Sequence, residues 1–210
     1  MRSPIVFFLI VANVAVYLLQ GVAGEYLFRH FALWPLGSYP VADAHFTVGF
    51  EPWQLVTSAF MHDPGNIAHL LLNMFALFMF GRDVEGALGS TRFLWLYFAS
   101  VIAGSLAQLL VVSMNIEQGV VPTVGASGGV FGVLLAFAIL FPRRRLIVFP
   151  IPIPMPAWLV VTGYAILELS NGVMGTQQGV AHFAHVGGMV GAAAVLLFLG
   201  RRPPPPPRAA

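Results

Sequence analysis

The chain has 210 residues, of which 58% are hydrophobic and 9% charged, and its formal net charge is +2. An average soluble domain carries about 25% charged residues, so this composition excludes a soluble globular protein and points to a polytopic membrane protein. The lack of cysteine excludes a disulfide framework, a thiolate nucleophile and a thiolate metal site. All 10 basic residues are arginines dispersed between apolar runs, a topology signal rather than a nucleic-acid-binding surface.

Counted against the roughly 20 residues needed to cross a bilayer, six apolar spans follow one another. The first runs from about Pro4 to Gln20 and, with no small-residue cleavage site behind it, reads as an uncleaved helix. A long outer segment, about Gly21 to Asn66, separates it from the second span. This segment holds Trp34, Phe46, Phe50, Trp53 and Phe60, so it is expected to lie partly in the interface or outer leaflet as structure rather than linker. The second span begins near Ile67 and ends around Gly81, or at Leu88 if it continues. The third covers about Thr91 to Met114, and the fourth about Gly125 to Phe141.

The fifth span, about Leu146 to Ser170, is interrupted by Pro150, Pro152, Pro154 and Pro156, so its helix proper should start near Pro156 or Ala157. The sixth runs from about Gly179 to Gly200. Residues 201–210 are expected to form a disordered, cytoplasmic Arg/Pro-rich tail, and residues 1–200 a single six-helix transmembrane domain. With the N-terminus inside, Arg2, Arg82, Arg92, Arg143 to Arg145, Arg201, Arg202 and Arg208 fall on the inner side and only Arg29 outside. This asymmetry supports six spans with both ends cytoplasmic. No inverted repeat suggests a transporter.

Spans two, four and six then run from outside to inside, and the polar residues near their starts fall at one depth. Ser127 opens span four within Gly125-Ala126-Ser127-Gly128-Gly129, a G-x-S-x-G pattern. Taken alone, these glycines read equally as small-xxx-small helix contacts. His69 and Asn73 share a face of span two, and His182 and His185 share a face of span six. Polar groups inside a bilayer are costly and normally face a partner or a wet cavity, so their alignment marks a candidate site.

Gly187, Gly188, Gly191 and Ala184 form a small face on span six that can meet the glycines of span four, with Ser127 and His185 at the seam. Imidazole beside a hydroxyl is the minimum for nucleophilic acyl transfer. His69, Asn73 and the backbone N–H of Ser127 can stabilise an oxyanion. Asp63 lies at the loop edge and Glu168 near the outer end of span five, so a Ser-His dyad is expected rather than a triad. His62 reads as a loop stabiliser, and Glu85 with Arg82 and Arg92 as an inner-surface ion-pair group.

His69-Leu70-Leu71-Leu72-Asn73, Gly125-Ala126-Ser127-Gly128 and Ala184-His185-Val186-Gly187-Gly188-Met189-Val190-Gly191 together resemble the signature of the rhomboid intramembrane serine proteases. Glu51-Pro52-Trp53-Gln54, Phe60-Met61-His62, and Glu85 with Gly89-Ser90 extend the resemblance from about Glu51 to Gly191. It implies an all-α membrane protein, a six-transmembrane-helix rhomboid-like bundle of the bacterial type with a long membrane-associated loop between helices 1 and 2. By the same resemblance Ser127 is the nucleophile, His185 the general base, and His69 with Asn73 the oxyanion donors. Gln54 stands where the family often has arginine, removing a guanidinium contact for that loop. Phe131, one turn after Ser127, can stack on the histidine, and His182 is a supporting polar residue.

The expected function is intramembrane serine endopeptidase activity on single-pass or polytopic membrane-protein substrates within the lipid bilayer. The expected location is a bacterial inner (plasma) membrane, with the site open to the outer side. No metal or organic cofactor and no nucleic acid is expected. The competing readings are a catalytically weak rhomboid-like protein that binds membrane clients, and a metal or haem protein using His62, His69, His182 and His185.

Overall fold

A computed structural model describes residues 3–41, 46–148, 151–175 and 181–199. The expectations for Arg2, for Pro150, for the start of the sixth span near Gly179 and for the 201–210 tail lie outside these residues. What is described is a helical membrane bundle with two small β-ribbons. Five helical stretches are long and apolar enough to cross a membrane, and a sixth apolar helix is shorter. Their outer surfaces carry large exposed apolar side chains such as Leu18, Leu72, Trp95, Leu110 and Phe198, as lipid contact requires. The chain is an integral membrane protein.

Helix α1 spans Pro4–Phe31, with proline in its first turn. It runs well past the Gln20 end expected from the sequence. Gly21 and Gly24 cost a helix only about 1 kcal/mol each, too little to end one whose next residues, Glu25 to Phe31, are compatible with it. The irregularity they allow is a kink at Ala23 (φ −126°, ψ 34°). The start of α1 is secured from another helix. The backbone N–H groups of Ile5 and Val6 donate to Glu85 at 3.2 and 3.0 Å, and the Ser90 hydroxyl donates to the same carboxylate at 2.6 Å. A carboxylate suits the unpaired amides and positive dipole end of a helix. Glu85 is therefore a buried cap rather than a surface ion pair. The pair at this end is Arg144 with Asp83, at 2.9 Å.

The described parts of the segment from Ala32 to Asn66 are held by polar side chains. Strands β1 (Tyr39–Pro40) and β2 (Thr47–Val48) pair antiparallel, and helix α2 (Gln54–Thr57) continues into a 3-10 turn at Ser58–Phe60. Gln54 is fully buried, accepting from the Trp34 amide at 3.2 Å and donating to the Gly49 carbonyl at 3.2 Å, so its amide ties together the loop that lacks the arginine. Trp53 and Thr57 fasten the segment to the end of α1 by donating to the His30 and Phe31 carbonyls. Further back, the Gln20 side chain exchanges hydrogen bonds with the backbone of His62, whose ring meets Asn13 Oδ1 at 2.9 Å.

Helix α3 (Ile67–Ala76) passes through a π-helical turn at Leu77–Gly81 into α4 (Arg82–Leu88), and α5 is Ser90–Met114. Helix α6, Ser127–Leu140, has 14 residues. At about 1.5 Å per residue it is about 21 Å long, short of the roughly 30 Å hydrocarbon core. The fourth expected span is therefore a short, largely buried helix whose N-terminus can stop below the surface. The first third of the fifth expected span is a ribbon, β3 (Arg145–Val148) with β4 (Ile151–Pro156). Helix α7 (Ala157–Met174) begins where the last proline releases the chain, and α8 is His182–Leu199.

Small residues join α5, α6 and α8. A Cβ on Gly188 would lie 2.0 Å from the Gly128 carbonyl oxygen, and one on Gly128 would lie 3.3 Å from the Ala184 oxygen. Gly187 and Gly191 instead face α5, where a Cβ would meet Ala103 O at 2.8 Å and Ala99 O at 2.6 Å. The glycine face of α8 thus serves two neighbours, not α6 alone. Such contacts let backbones approach closely where lipid provides no hydrophobic drive between helices.

Candidate active site

Ser127 is the first residue of α6. The segment before it is bent by Gly125 at φ +132°, where a side chain would be strained and a Cβ would lie 2.8 Å from His69 Nε2. That segment is held by the outer loop. Gly125 N donates to Ser58 O at 3.0 Å, and Leu33 and Thr123 exchange backbone hydrogen bonds at 3.0 and 2.9 Å. The loop expected to be structure rather than linker is a scaffold for the serine.

His185 Nε2 lies 2.8 Å from Ser127 Oγ. Phe131, one turn along α6, stacks on the imidazole with ring centroids 4.1 Å apart and planes at 8°. The ring is held on its other edge by Glu168 of α7, whose Oε2 lies 2.8 Å from His185 Nδ1 and 2.6 Å from His182 Nδ1. An ionised carboxylate only accepts, so this network assigns a proton to each Nδ1. His185 Nε2 is then an acceptor turned towards the serine hydroxyl.

The expectation that no acidic residue is placed at the histidine is corrected at this point, because Glu168 contacts it. The helix start at Ala157 is as expected, but the helix runs on past the expected end at Ser170 to Met174, which leaves Glu168 more than a turn inside it. The signal that could have found it is a lone carboxylate in an apolar helix, which by default has a partner.

His69 and Asn73 lie on α3, and His69 closes over the same loop. The Asp63 amide donates to His69 Nδ1 at 3.3 Å, which assigns the proton to Nε2, the nitrogen facing Gly125. Asn73 Nδ2 donates to the His69 carbonyl at 2.8 Å, leaving its second N–H to donate elsewhere. The first amides of α6, Ser127 N–H among them, have no acceptor within the helix. His62 stands behind His69, with ring centroids 5.0 Å apart, and serves the loop. Behind Ser127 a cavity of about 20 Å³ is bordered by Ser58, Ser105, Gln108 and Thr123. That is room for one water, since about 10–15 Å³ suffices. Gln108 Oε1 is buried without a partner among the described residues.

Of the histidines considered as metal ligands, His182 and His185 join Glu168 in a cluster whose ligand atoms lie within 4.8 Å of one another. The two short N···O contacts are those of direct hydrogen bonds, so a metal would have to displace both Nδ1 protons.

Fold and site together define a membrane-embedded protein with a histidine-paired serine at a helix N-terminus. The profile of the Rhomboid domain matches residues 49–202, and the chain belongs to the rhomboid family. It is 41% identical over 105 residues to Rhomboid protein 1, mitochondrial, of Saccharomyces cerevisiae, covering 50% of this chain and 30% of the relative. To Rhomboid protease GluP of Bacillus subtilis it is 31% identical over 145 residues, 67% of this chain and 25% of that protein. To RHOMBOID-like protein 12, mitochondrial, of Arabidopsis thaliana it is 28% identical over 199 residues, 88% of this chain and 55% of that one. The chain thus spans between a quarter and just over half the length of these relatives. They come from mitochondria and from a bacterium, so the family does not carry the expected bacterial type or plasma-membrane location to this chain.

Proposed function

We propose that the chain is an intramembrane serine endopeptidase, hydrolysing a peptide bond in or near the membrane-spanning segment of another membrane protein. The observation that carries this reading is the 2.8 Å contact between Ser127 Oγ and His185 Nε2 at the head of α6. In the reaction Ser127 Oγ attacks the scissile carbonyl carbon while its proton passes to His185 Nε2. The oxyanion is met by Ser127 N–H, His69 Nε2–H and the free N–H of Asn73, groups set before the charge develops. The C–N bond then breaks as His185 returns the proton to the leaving amine. Water repeats the sequence on the acyl-enzyme and restores the serine.

Every step uses a group of the chain or water. The short α6 and the water-sized cavity support access of water from the side reached by the 32–66 segment, with the start of α1 and the end of α8 on the other side. The substrate must unwind locally, because a helical amide is shielded by its own hydrogen bonds. Helix-breaking residues, and a small residue before the cut, are expected near the cleavage site.

The test is labelling of the purified protein in detergent with a fluorophosphonate, mapped by mass spectrometry, and cleavage of a panel of transmembrane segments. Adduct on Ser127 that is lost in Ser127→Ala and His185→Ala is the expected result. A folded wild-type protein that neither labels nor cleaves any segment would favour a client-binding role instead.

A further inference from the structure

Glu168 is the feature that the proposed chemistry does not use. It sits on α7, the least buried of the five long apolar stretches, at 11% against 22–39% for the others. Its own side chain is only 13% exposed, and a single oxygen receives hydrogen bonds from two histidines of α8. An acceptor-only group at Nδ1 leaves a neutral imidazole one arrangement, with the proton on Nδ1 and the lone pair on Nε2. That lone pair is directed at Ser127 Oγ, 2.8 Å away.

We propose that Glu168 is a positioning residue of the reaction, fixing the tautomer and orientation of His185 through Nδ1, with His182 holding the carboxylate in place. The inference rests on the protease reading above. Glu168 touches neither the serine nor the position of a substrate carbonyl; it acts through His185 as the third member of a chain Ser127–His185–Glu168. When His185 takes the serine proton the carboxylate faces an imidazolium, so the contact is stronger in the transition state than before it. The alternative is a bolt between α7 and α8 with no bearing on the base. Substitution by glutamine separates the two, because its amide oxygen can still accept from an Nδ1–H and keep a bolt, while the charge is lost and a turned amide imposes the opposite tautomer.

The experiment measures kinact and KI for a fluorophosphonate on the full chain in detergent, for wild type, Glu168→Gln, Glu168→Asp and Ser127→Ala, with melting temperatures alongside. It is paired with ¹⁵N-histidine spectra taken where the ring is neutral, with His185 assigned by its loss in His185→Ala. The expected result is a kinact lower by roughly 10- to 150-fold in Glu168→Gln with KI unchanged, the loss of one charge-assisted hydrogen bond, and partial recovery in Glu168→Asp. The wild-type His185 signal should be the Nδ1–H tautomer. Wild type that labels on Ser127 while Glu168→Gln labels equally fast overturns the role of Glu168 and leaves the protease reading standing. Wild type that never labels Ser127 overturns that reading and the role built on it. If Glu168→Gln does not fold, Glu168→Asp decides: a kinact below wild type with KI unchanged upholds the proposal, and labelling as fast as wild type, or a wild-type Nε2–H tautomer, overturns it.

Discussion

A single methyl group at Gly188 should disable the candidate site while leaving its helices formed. Gly188 lies one turn after His185 on α8, and an added Cβ would fall 2.0 Å from Gly128 O, 2.7 Å from Gly128 C and 3.0 Å from Gly128 Cα. All three atoms are backbone, so none can rotate aside. Real Cβ contacts essentially never fall below 3.0 Å, so α6 and α8 must part locally by about 1 Å. Gly128 adjoins Ser127, and the separation therefore opens the 2.8 Å Ser127–His185 contact by a similar amount, beyond hydrogen-bond length. Overpacking of this kind costs about 1–3 kcal/mol, and a misplacement of about 1 Å lowers a rate by about 100-fold.

Gly163→Ala is the internal control. It lies on α7, its Cβ would meet nothing within 4 Å, and it is expected to be neutral or stabilising by up to about 1 kcal/mol. Fluorophosphonate labelling rates and detergent melting temperatures of the two variants provide the comparison. Labelling of Gly188→Ala within twofold of wild type would refute the claim that this backbone contact sets the serine–histidine distance.

Acid should loosen the tie between the loop and α1 at His62. Burial, with a smaller contribution from neighbouring His69, lowers its pKa from 6.5 to about 3. The unfolded chain takes up a proton below pH 6.5 that the folded one refuses, so this stabilisation is complete above 6.5 and is lost as the pH falls towards 3. The slope across that window is about 1.4 kcal/mol per pH unit at most, and in melting temperature against pH it should be shallower for His62→Gln; parallel curves would contradict it. Glu85→Gln should lower the melting temperature through loss of about 1.5–3 kcal/mol at the buried cap of α1. It should leave labelling of Ser127 unchanged, because among the described residues the hydrogen bonds of the Glu85 carboxylate go to the start of α1 and to Ser90; a loss of labelling in the folded variant would show coupling between the two ends.

Sequence legibility divided along a physical line. The membrane class, the order of the apolar stretches, the proline break that delays α7 to Ala157, and the pairing of Ser127 with His185 were all readable. Each depends on composition, on spacing along one helix, or on the small-residue pattern of a close seam. The end of α1 is not legible, because two glycines weaken a helix without ending it. The shortness of α6 is not legible, because apolar content does not reveal whether a segment faces lipid or protein, and the prolines before Ala157 mark irregular backbone without specifying that it pairs as the β3–β4 ribbon.

The partners of particular side chains needed the tertiary structure. Glu85 and the start of α1 are some 80 positions apart, and no periodicity joins them. Gly187 and Gly191 look like Gly188 in sequence, yet a rotation of less than half a turn directs them to α5. Glu168 and His185 belong to different helices, and their meeting depends on the phase with which α7 and α8 pack. By itself the chain determined what kinds of group lie in the membrane and at roughly what depth, because hydropathy and helical rise are local. Only the packing of helices decided which group faces which, since rotation about a helix axis and register between neighbours depend on contacts far apart in the chain.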